Sequence, residues 1–203
     1  MQRYAFLDLE GVLYPELWEI YAEELALPAL AKTTREEPDY HKLVRERIAL
    51  LGEHGIGLAR LAEISDKVGL LAGAADFVRQ LQQRGFIVCV VTDAFQEIIG
   101  SAVRQLGIAE IYPNRFVCDD KGRIVAADYA RKTGKHEVLQ AKLHGKTQVW
   151  SMAVGDTFND FSMLEYADCG FLFRPSDSAR QRAAASFRVT WEYREILAAL
   201  DAC

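Results

Sequence analysis

The chain has 203 residues, of which half are hydrophobic, and a formal charge of −5 from 29 acidic and 24 basic side chains. This length suits one domain, or one domain with an insertion, and the lack of a basic run argues against a nucleic-acid partner. We expect a cytoplasmic protein with no membrane partner, because the first residues predict a strand rather than a leader and no apolar run could span a bilayer. The cysteines at positions 89, 118, 169 and 203 form no close pair and predict packing thiols.

The first predicted element is an apolar strand that runs from Tyr4 into Asp8 and Glu10, two acids separated by one residue. In a parallel α/β sheet, ligands collect outside the carboxyl ends of the strands, so Asp8 would direct its oxygens into such a site. A lone acid at a strand end is more often a cap or turn residue. The prediction of a site therefore depends on what later strands bring to the same edge.

A helical pattern follows over residues 15–72 and predicts a small insertion between the first two core strands. The clearest helix of this segment has one apolar stripe, formed by Tyr40, Leu43, Val44, Arg47, Ile48 and Leu51. Arg47 therefore lies on the apolar face. Its charged head either reaches past its own stem to water or serves as a receptor for an anion, and the pattern leaves both possibilities open.

From residue 73 onward, helical and strand patterns alternate. A helical stripe over residues 74–81 precedes the strand Phe86–Val91, which leads into Thr92 and Asp93, and a second stripe covers residues 98–106. A strand that ends in a hydroxyl and a carboxylate repeats the feature seen at the first strand.

This alternation predicts a doubly wound, Rossmann-like α/β fold with a parallel sheet. We assign residues 1–14 and 73–203 to this core and residues 15–72 to a helical cap. The stretch from Arg115 to Ala127 predicts a hairpin, because two apolar runs flank the turn at residues 120–122.

The last part of the chain adds further polar residues. A helix begins near Lys135, and the strand Gln148–Val154 leads to Asp156, Asn159 and Asp160. Two short strands and a terminal helix complete the pattern. Three strands thus deliver carboxylates or a hydroxyl to one edge of the sheet, which capping alone does not explain.

The acids at this edge predict a site for a hard cation. Asp8, Glu10, Asp156 and Asp160 would concentrate negative charge, and oxygen ligands of this kind select magnesium. A phosphate beside the metal would need donors, which Thr92, backbone amides and a lysine would supply. A carboxylate can also act as a nucleophile and form an aspartyl-phosphate. The residues therefore indicate magnesium-dependent phosphoryl chemistry.

Four segments resemble the four signatures of the haloacid dehalogenase superfamily of phosphotransferases: residues 8–12, residues 91–93, Lys135 and residues 155–160. Each motif is weak by itself, but all four occur in order and together span most of the chain. Within the superfamily the chain resembles phosphoserine phosphatases, because the insertion holds Pro15-Glu16 and a stretch from Asp39 to Arg47. Its opening Asp-Leu-Glu-Gly-Val-Leu resembles a bacterial branch that also transfers phosphate from phosphoserine to homoserine.

The resemblance implies a role for each matching residue. Asp8 would be the nucleophile, Glu10 the general acid and base, and Thr92 and Lys135 would hold the phosphoryl oxygens. The magnesium ion would be bound by Asp8, by the backbone carbonyl of Glu10 and by Asp156, with Asn159 and Asp160 as support. The phosphoserine or homoserine substrate would be bound by Glu16, Tyr40, Arg47, Thr92, Asp93 and Lys135.

Two residues depart from the usual superfamily pattern. Glu10 replaces an aspartate, and Asp93 stands where a small residue is common; both features resemble the homoserine-using branch. One methylene separates serine from homoserine, and a pocket discriminates a methylene by only ~1 to 3 kcal/mol, so overlapping substrates are expected.

Alternatives remain open at this stage. Lys132 or Lys142 could replace Lys135. The enzyme could act on another small phosphate ester such as a sugar phosphate, with Glu16 and Arg47 structural. A phospho-accepting signalling module without turnover is the alternative from a different class, although it would have no need of a helical insertion.

Overall fold

The computed structural model describes residues 1–34, 36–37 and 39–201. Within them one sheet forms the centre of the molecule. Its strands are β1 (Gln2–Leu7), β2 (Phe86–Phe95), β3 (Glu110–Cys118), β4 (Ile124–Asp128), β5 (Val149–Gly155), β6 (Cys169–Phe173) and β7 (Arg188–Thr190). The spatial order is β4-β3-β2-β1-β5-β6-β7, and every neighbouring pair is parallel except β3 and β4.

Helices connect these strands. They are α1 (Leu17–Glu24), α2 (Tyr40–Glu53), α3 (Leu58–Ser65), α4 (Ala74–Gln83), α5 (Gly100–Leu106), α6 (His136–Leu143), α7 (Phe161–Tyr166), α8 (Asp177–Arg182) and α9 (Tyr193–Asp201). Short 3-10 turns occur at Pro28–Ala31, Gln96–Ile98 and Phe158–Asp160. The longest of these helices, α2, has 14 residues, and none in the described part of the chain is long and apolar enough to cross a bilayer.

Apolar side chains cover both faces of the sheet. Successive residues of a strand point to opposite faces, so Tyr4 and Phe6 of β1 pack with α6 and α7, whereas Ala5 and Leu7 belong to the apolar cluster that includes α4 and α9. Helices on both faces of a mostly parallel sheet define the doubly wound α/β fold that the sequence predicts, and this prediction is confirmed.

Residues 15–72, which lie between β1 and α4, contain α1, α2 and α3, as the helical pattern predicts. Buried side chains of these helices, such as Leu17, Val44 and Leu61, join the same apolar cluster as Leu7 and Val90 of the sheet. The division into a core and a cap at residues 15–72 stays a prediction.

Two strands are longer than their local patterns indicate. β2 continues past Val91 to Phe95, and β3 begins at Glu110, five residues before the predicted hairpin. The first half of β3 pairs in parallel with β2, and its second half forms the predicted antiparallel hairpin with β4. The pairing of β3 with two different strands depends on which strands are neighbours in the sheet, so local periodicity does not predict it. Among the described residues, Cys89, Cys118 and Cys169 form no disulfide, and Cys203 lies outside the described residues.

Candidate active site

The carboxyl ends of β1, β2 and β5 meet at one edge of the sheet, beside a cavity of about 690 Å³. The opposite wall comes from α1 and α2. Every residue to which the resemblance assigns a role lines this cavity except Asp160, which is fully buried. The structure therefore brings together the polar strand ends and the polar residues of the helical segment.

Lys135 immediately precedes α6, and its buried ammonium group lies among acids. Its Nζ is 2.7 Å from Oδ1 of Asp8, 2.7 Å from Oδ1 of Asp160 and 4.0 Å from Oδ2 of Asp93. Burial works to lower the lysine pKa, but the charges of Asp160, Asp8 and Asp93 outweigh it and raise that pKa above its ordinary value. Lys135 therefore carries a permanent positive charge beside Asp8.

The other two lysines considered lie differently. Lys142 pairs with Glu110 at 2.5 Å, away from the cavity, and Lys132 is an exposed residue on the cavity wall. Among the three, the contact with Asp8 is made by Lys135.

Asp8 is held at the end of β1 with little exposure to water. Its Oδ1 accepts a hydrogen bond from the Leu9 amide at 2.7 Å in addition to the contact with Lys135. Burial and the neighbouring charge of Asp160 raise the pKa of Asp8 well above its ordinary value, although Lys135 opposes this shift. A bound cation would favour the charged, nucleophilic form.

The carboxylates of Asp8, Asp156 and Asp160 have oxygens within 4.8 Å of one another. Asp160 is already engaged, because its Oδ1 accepts from Lys135 and its Oδ2 accepts from the backbone amides of Asp156 and Thr157, at 3.0 and 3.2 Å. In contrast, the buried Oδ1 of Asp156 has no hydrogen-bond partner within the described residues.

This arrangement fits a divalent cation. Burial and the charge of Asp160 raise the pKa of Asp156 to about 8, so its ionised form lacks compensation. An unpartnered buried carboxylate oxygen beside a second carboxylate suits a hard ion with oxygen ligands. Asp8 and Asp156 would thus be the side-chain ligands of magnesium, and Asp160 would support them.

The loop that follows β1 is a tight turn over residues 9–14. The carbonyl of Leu9 accepts from the amides of Leu13 and Tyr14, at 2.7 and 2.9 Å. Gly11 has φ +75°, and a Cβ at this position would lie 2.5 Å from Oδ2 of Asp156. Glycine is therefore required both by the backbone conformation and by the close approach of the loop to the acid cluster.

Glu10 lies in this loop, and its Oε1 accepts from the Leu17 amide at 2.8 Å, at the start of α1. Burial and the charge of Glu16 raise the pKa of Glu10 to about 8. The carboxyl group therefore has a proton affinity that allows it to donate and to accept a proton near neutral pH.

Thr92 and Asp93 lie near the end of β2. Oγ1 of Thr92 accepts from the Ala94 amide at 3.1 Å, which leaves the hydroxyl hydrogen to donate to a ligand. The Asp93 carboxylate accepts from Nη2 of Arg131 at 2.9 Å and from Nδ2 of Asn159 at 2.7 Å.

The Asp93 carboxyl group remains ionised although burial disfavours its charge. Burial works to raise its pKa, but the charges of Lys135 and Arg131 prevail and lower the pKa below its usual range. Its Oδ1 is occupied by Arg131 and its Oδ2 by Asn159.

Arg47 and Glu16 present opposite charges to the cavity. The Arg47 guanidinium lies 4.4 Å from the centre of the Trp18 ring and donates to the carbonyls of Leu30 and Lys32, at 3.2 and 2.6 Å. Burial lowers its pKa to about 10, so it stays charged at neutral pH. Since this residue is only 7% exposed, its head does not reach past its stem into bulk water.

Aromatic side chains at the start of α2 contact β2 and the residue that follows β4. The Tyr40 hydroxyl donates to the carbonyl of Asp93 at 2.9 Å, and the His41 ring stacks on Tyr129 with centroids 4.0 Å apart. Sequence reasoning missed His41 and Tyr129, as well as Arg131 and Asn114, all of which line the cavity. No local spacing signals them, because each gains its role from a contact with a distant segment.

The model of one hydrolase family matches most of the chain. The haloacid dehalogenase-like hydrolase model covers residues 3–165. The chain belongs to this family, as its four motifs predict.

Two similar proteins of this family are named phosphoserine phosphatases. The chain is 38% identical over 175 residues to a phosphoserine phosphatase of Pseudomonas syringae pv. tomato. The matched region covers 86% of this chain and 72% of that protein. It is 37% identical over 174 residues to the phosphoserine phosphatase ThrH of Pseudomonas aeruginosa, with 86% and 83% covered.

Solved structures show the same fold. A phospho-aspartyl intermediate analogue of phosphoserine phosphatase matches with a TM-score of 0.80 over 98% of this chain and 99% of that chain, at 21% identity. A substrate-bound phosphoserine phosphatase complex matches with a TM-score of 0.78 over 98% of each chain, also at 21% identity.

Proposed function

We propose that this protein is a magnesium-dependent phosphatase that hydrolyses phosphoserine through an aspartyl-phosphate on Asp8. The observation that carries the proposal is the environment of Asp8, which contacts the Lys135 ammonium and lies within 4.8 Å of a carboxylate oxygen of Asp156. Among the described residues, Oδ1 of Asp156 has no hydrogen-bond partner, and the same cavity also presents Glu16 and Arg47. The relatives named phosphoserine phosphatase support this substrate.

The reaction divides into two displacements. The Asp8 carboxylate attacks phosphorus, the bond to the serine oxygen breaks, and Glu10 gives its proton to the departing alkoxide. Glu10, now ionised, takes a proton from water, and the water oxygen attacks the phosphorus atom on Asp8. The bond between phosphorus and the Asp8 carboxylate oxygen breaks, which releases inorganic phosphate and restores the Asp8 carboxylate and the protonated Glu10. Lys135 and the Thr92 hydroxyl donate to the phosphoryl oxygens in both steps. Magnesium at this site would supply positive charge that offsets the phosphate and the carboxylates.

The helical segment would recognise the amino acid part of the substrate. A phosphoserine ammonium group suits the Glu16 carboxylate, and its carboxylate suits the Arg47 guanidinium. Tyr40 on α2 and Asp93 near the end of β2 line the same cavity and would be further substrate-facing residues. A sugar phosphate carries neither charged group, so it would make no use of this pair.

We further propose that homoserine can replace water as the acceptor. Homoserine has the same ammonium and carboxylate groups as serine. Glu10 would take the proton of its hydroxyl as the hydroxyl oxygen attacks the phosphorus on Asp8, and the bond between phosphorus and Asp8 would break. Binding in the cavity would give this hydroxyl an effective concentration that competes with bulk water.

Phosphate release tests the function directly. With magnesium, the protein should release phosphate from phosphoserine more efficiently than from a hexose phosphate, and a chelator should stop the release. A preference for the hexose phosphate would overturn the choice of substrate. No release from either substrate or from an aryl phosphate would favour a phospho-accepting module.

Arg47→Ala tests recognition of the amino acid. We expect kcat/KM for phosphoserine to fall about tenfold to hundredfold, since a hydrogen bond to a charged group contributes ~1.5 to 3 kcal/mol, while an aryl phosphate is little affected. The exposed neighbour Arg45→Ala is the matched control. Equal losses on both substrates would instead show that Arg47 only packs against Trp18.

Phosphorus NMR tests the transfer. With phosphoserine as donor, added homoserine should divert phosphate into phosphohomoserine, and the diverted fraction should saturate with homoserine concentration. Glycerol, which lacks both charged groups, should divert little. If no phosphohomoserine forms, the transferase part of the proposal is wrong and hydrolysis alone remains.

A further inference from the structure

Arg131 joins two strands and a side chain at the edge of the site. It lies between β4 and α6, and its side chain is only 6% exposed. Nη1 donates to the carbonyl of Tyr112 in β3 at 2.8 Å, while Nη2 donates to the carbonyl of Thr92 at 2.6 Å and to Oδ1 of Asp93 at 2.9 Å. One guanidinium group therefore touches both strands and the acid beside the candidate phosphate site.

The ladder between β2 and β3 is interrupted where Arg131 lies. Val91 is opposite Tyr112, but the next pair is Phe95 with Asn114, so β2 has two extra residues at this point. The intervening residue of β3 is Pro113, which has no amide hydrogen to donate. Arg131 supplies a donor to the Thr92 carbonyl in this irregular stretch.

Arg131 also acts on the charge balance around Lys135. Asp93 Oδ2 lies 4.0 Å from the lysine Nζ, beyond hydrogen-bond distance, and instead accepts from Asn159. Without the Arg131 guanidinium, the Asp93 carboxylate would have less compensation and would attract the ammonium away from Asp8. The pair thus keeps Lys135 directed at the nucleophile.

We propose that Arg131 is a positioning residue for phosphoryl transfer, which holds Thr92 through its carbonyl and holds Asn159 and Lys135 through Asp93. This inference rests on the proposed function only in that the site binds a phosphoryl group. It does not depend on phosphoserine being the substrate.

Kinetics on two substrates test the role. Arg131→Ala should lower kcat for phosphoserine and for an aryl phosphate by a similar factor, about tenfold to hundredfold, because both substrates use the same phosphoryl-binding groups. This result differs from Arg47→Ala, which should affect phosphoserine selectively. Activity within twofold of the wild type on both substrates would overturn the proposal.

Chemical rescue separates positioning from folding. Added guanidinium ion should restore part of the activity of Arg131→Ala and should saturate, whereas Arg131→Lys, with one compact cation, should recover less than the wild type. The control is Arg84→Ala, since Arg84 pairs with Asp201 near the start of β2, at the opposite edge of the sheet. A loss of activity that follows the melting temperature and is not rescued would show a structural role only.

Calorimetry with inorganic phosphate provides a readout without turnover. In the presence of magnesium, phosphate should bind Arg131→Ala more weakly than it binds the wild type or Arg84→Ala. Equal affinities would contradict the proposal. If the wild type hydrolyses neither substrate, the proposed function fails, and this titration still decides the role of Arg131.

Discussion

Lys135 connects the candidate nucleophile with the residues that surround it. A single ammonium group 2.7 Å from both Asp8 and Asp160 offsets two buried carboxylates, which would otherwise repel each other. The charge balance is incomplete, because Asp156 adds a further acid whose Oδ1 has no hydrogen-bond partner in the described part of the chain. The acid cluster therefore keeps an uncompensated negative charge, which a divalent cation would offset.

Asp8→Asn removes the attacking charge and keeps the shape of the side chain. We expect turnover to be lost, while the melting temperature without magnesium stays at or above that of the wild type, because burial and the charge of Asp160 disfavour ionised Asp8. Phosphate release and thermal melting by circular dichroism measure the two effects. Asp120→Asn, in the exposed hairpin turn, is the control, and retention of more than a few per cent of activity would contradict the nucleophile assignment.

At the scale of elements, the terminal helix α9 supports the loop that carries Glu10. The Tyr193 hydroxyl donates to the Val12 carbonyl at 2.6 Å, and its ring stacks on Phe77 and Phe173, each with centroids 4.8 Å apart. The loop has little sheet pairing of its own. Its position therefore depends on a contact from the far end of the chain.

Tyr193→Phe removes only the hydroxyl group. The ring stacking is kept, so we expect stability to fall by about 0.5 to 1.5 kcal/mol, the usual contribution of one hydrogen bond, and kcat to fall several-fold as the loop loosens. Denaturant unfolding and steady-state kinetics measure these effects. Tyr166→Phe, at an exposed tyrosine, should change neither, and an unchanged kcat in Tyr193→Phe would show that the loop holds its position without α9.

Glu137, in the first turn of α6, organises the loop before Lys135. Its Oε1 accepts from the backbone amides of Lys132, Thr133 and Gly134, and from the Thr133 hydroxyl at 2.7 Å. These hydrogen bonds, that of the Thr133 hydroxyl first, lower the pKa of Glu137 to about 2. The ionised carboxylate thus stabilises the loop that leads to Lys135.

Glu137→Gln should show a pH-dependent loss of stability. Because the folded-state pKa is lowered, the contribution of the wild-type carboxylate is fully present above its unfolded-state value of about 4.3 and is lost as pH falls towards 2. The difference in melting temperature between wild type and variant should be constant from neutral pH to about 5 and shrink below that. A difference that does not change with pH would rule out the carboxylate charge as its source. Glu53→Gln, near the end of α2, serves as the control.

At the scale of the whole molecule, strand order decides where charge accumulates. β1 lies between β2 and β5, so Asp8 has Thr92 on one side and Asp156 on the other, and α1 and α2 close the space above them. A parallel sheet with this central strand therefore places an acid cluster and a helical wall around one cavity.

Magnesium should stabilise the folded protein through this cluster. A ligand at a hundredfold excess over its Kd stabilises the folded state by about 2.7 kcal/mol, so the melting temperature should rise with magnesium concentration. Asp156→Ala should abolish this rise, and Asp177→Ala, at an exposed position on α8, should keep it. If Asp156→Ala responds to magnesium like the wild type, the metal site lies elsewhere.

The amino-acid sequence by itself determined the alternation of strands and helices, the acids and the hydroxyl at the strand ends, and the hydrolase family. These features are local, since a strand pattern, a motif such as Asp8 to Val12 and the residues that follow it all lie within a few positions. The helical segment was also predictable, because its apolar stripes repeat within single helices.

Only the tertiary structure decided which side chains complete the site. Arg131 reaches Thr92 across 39 positions, and Tyr193 reaches Val12 across 181 positions. The same applies to Lys135, which differs from nearby lysines by its contact with Asp8. Such contacts follow from the order in which strands pair and from the interruption of the β2 ladder opposite Pro113, neither of which has a periodic signal along the chain. Long-range contacts therefore decide how Arg131, Tyr193 and Lys135 reach the site, whereas short-range patterns already indicate the acids and the hydroxyl at the strand ends.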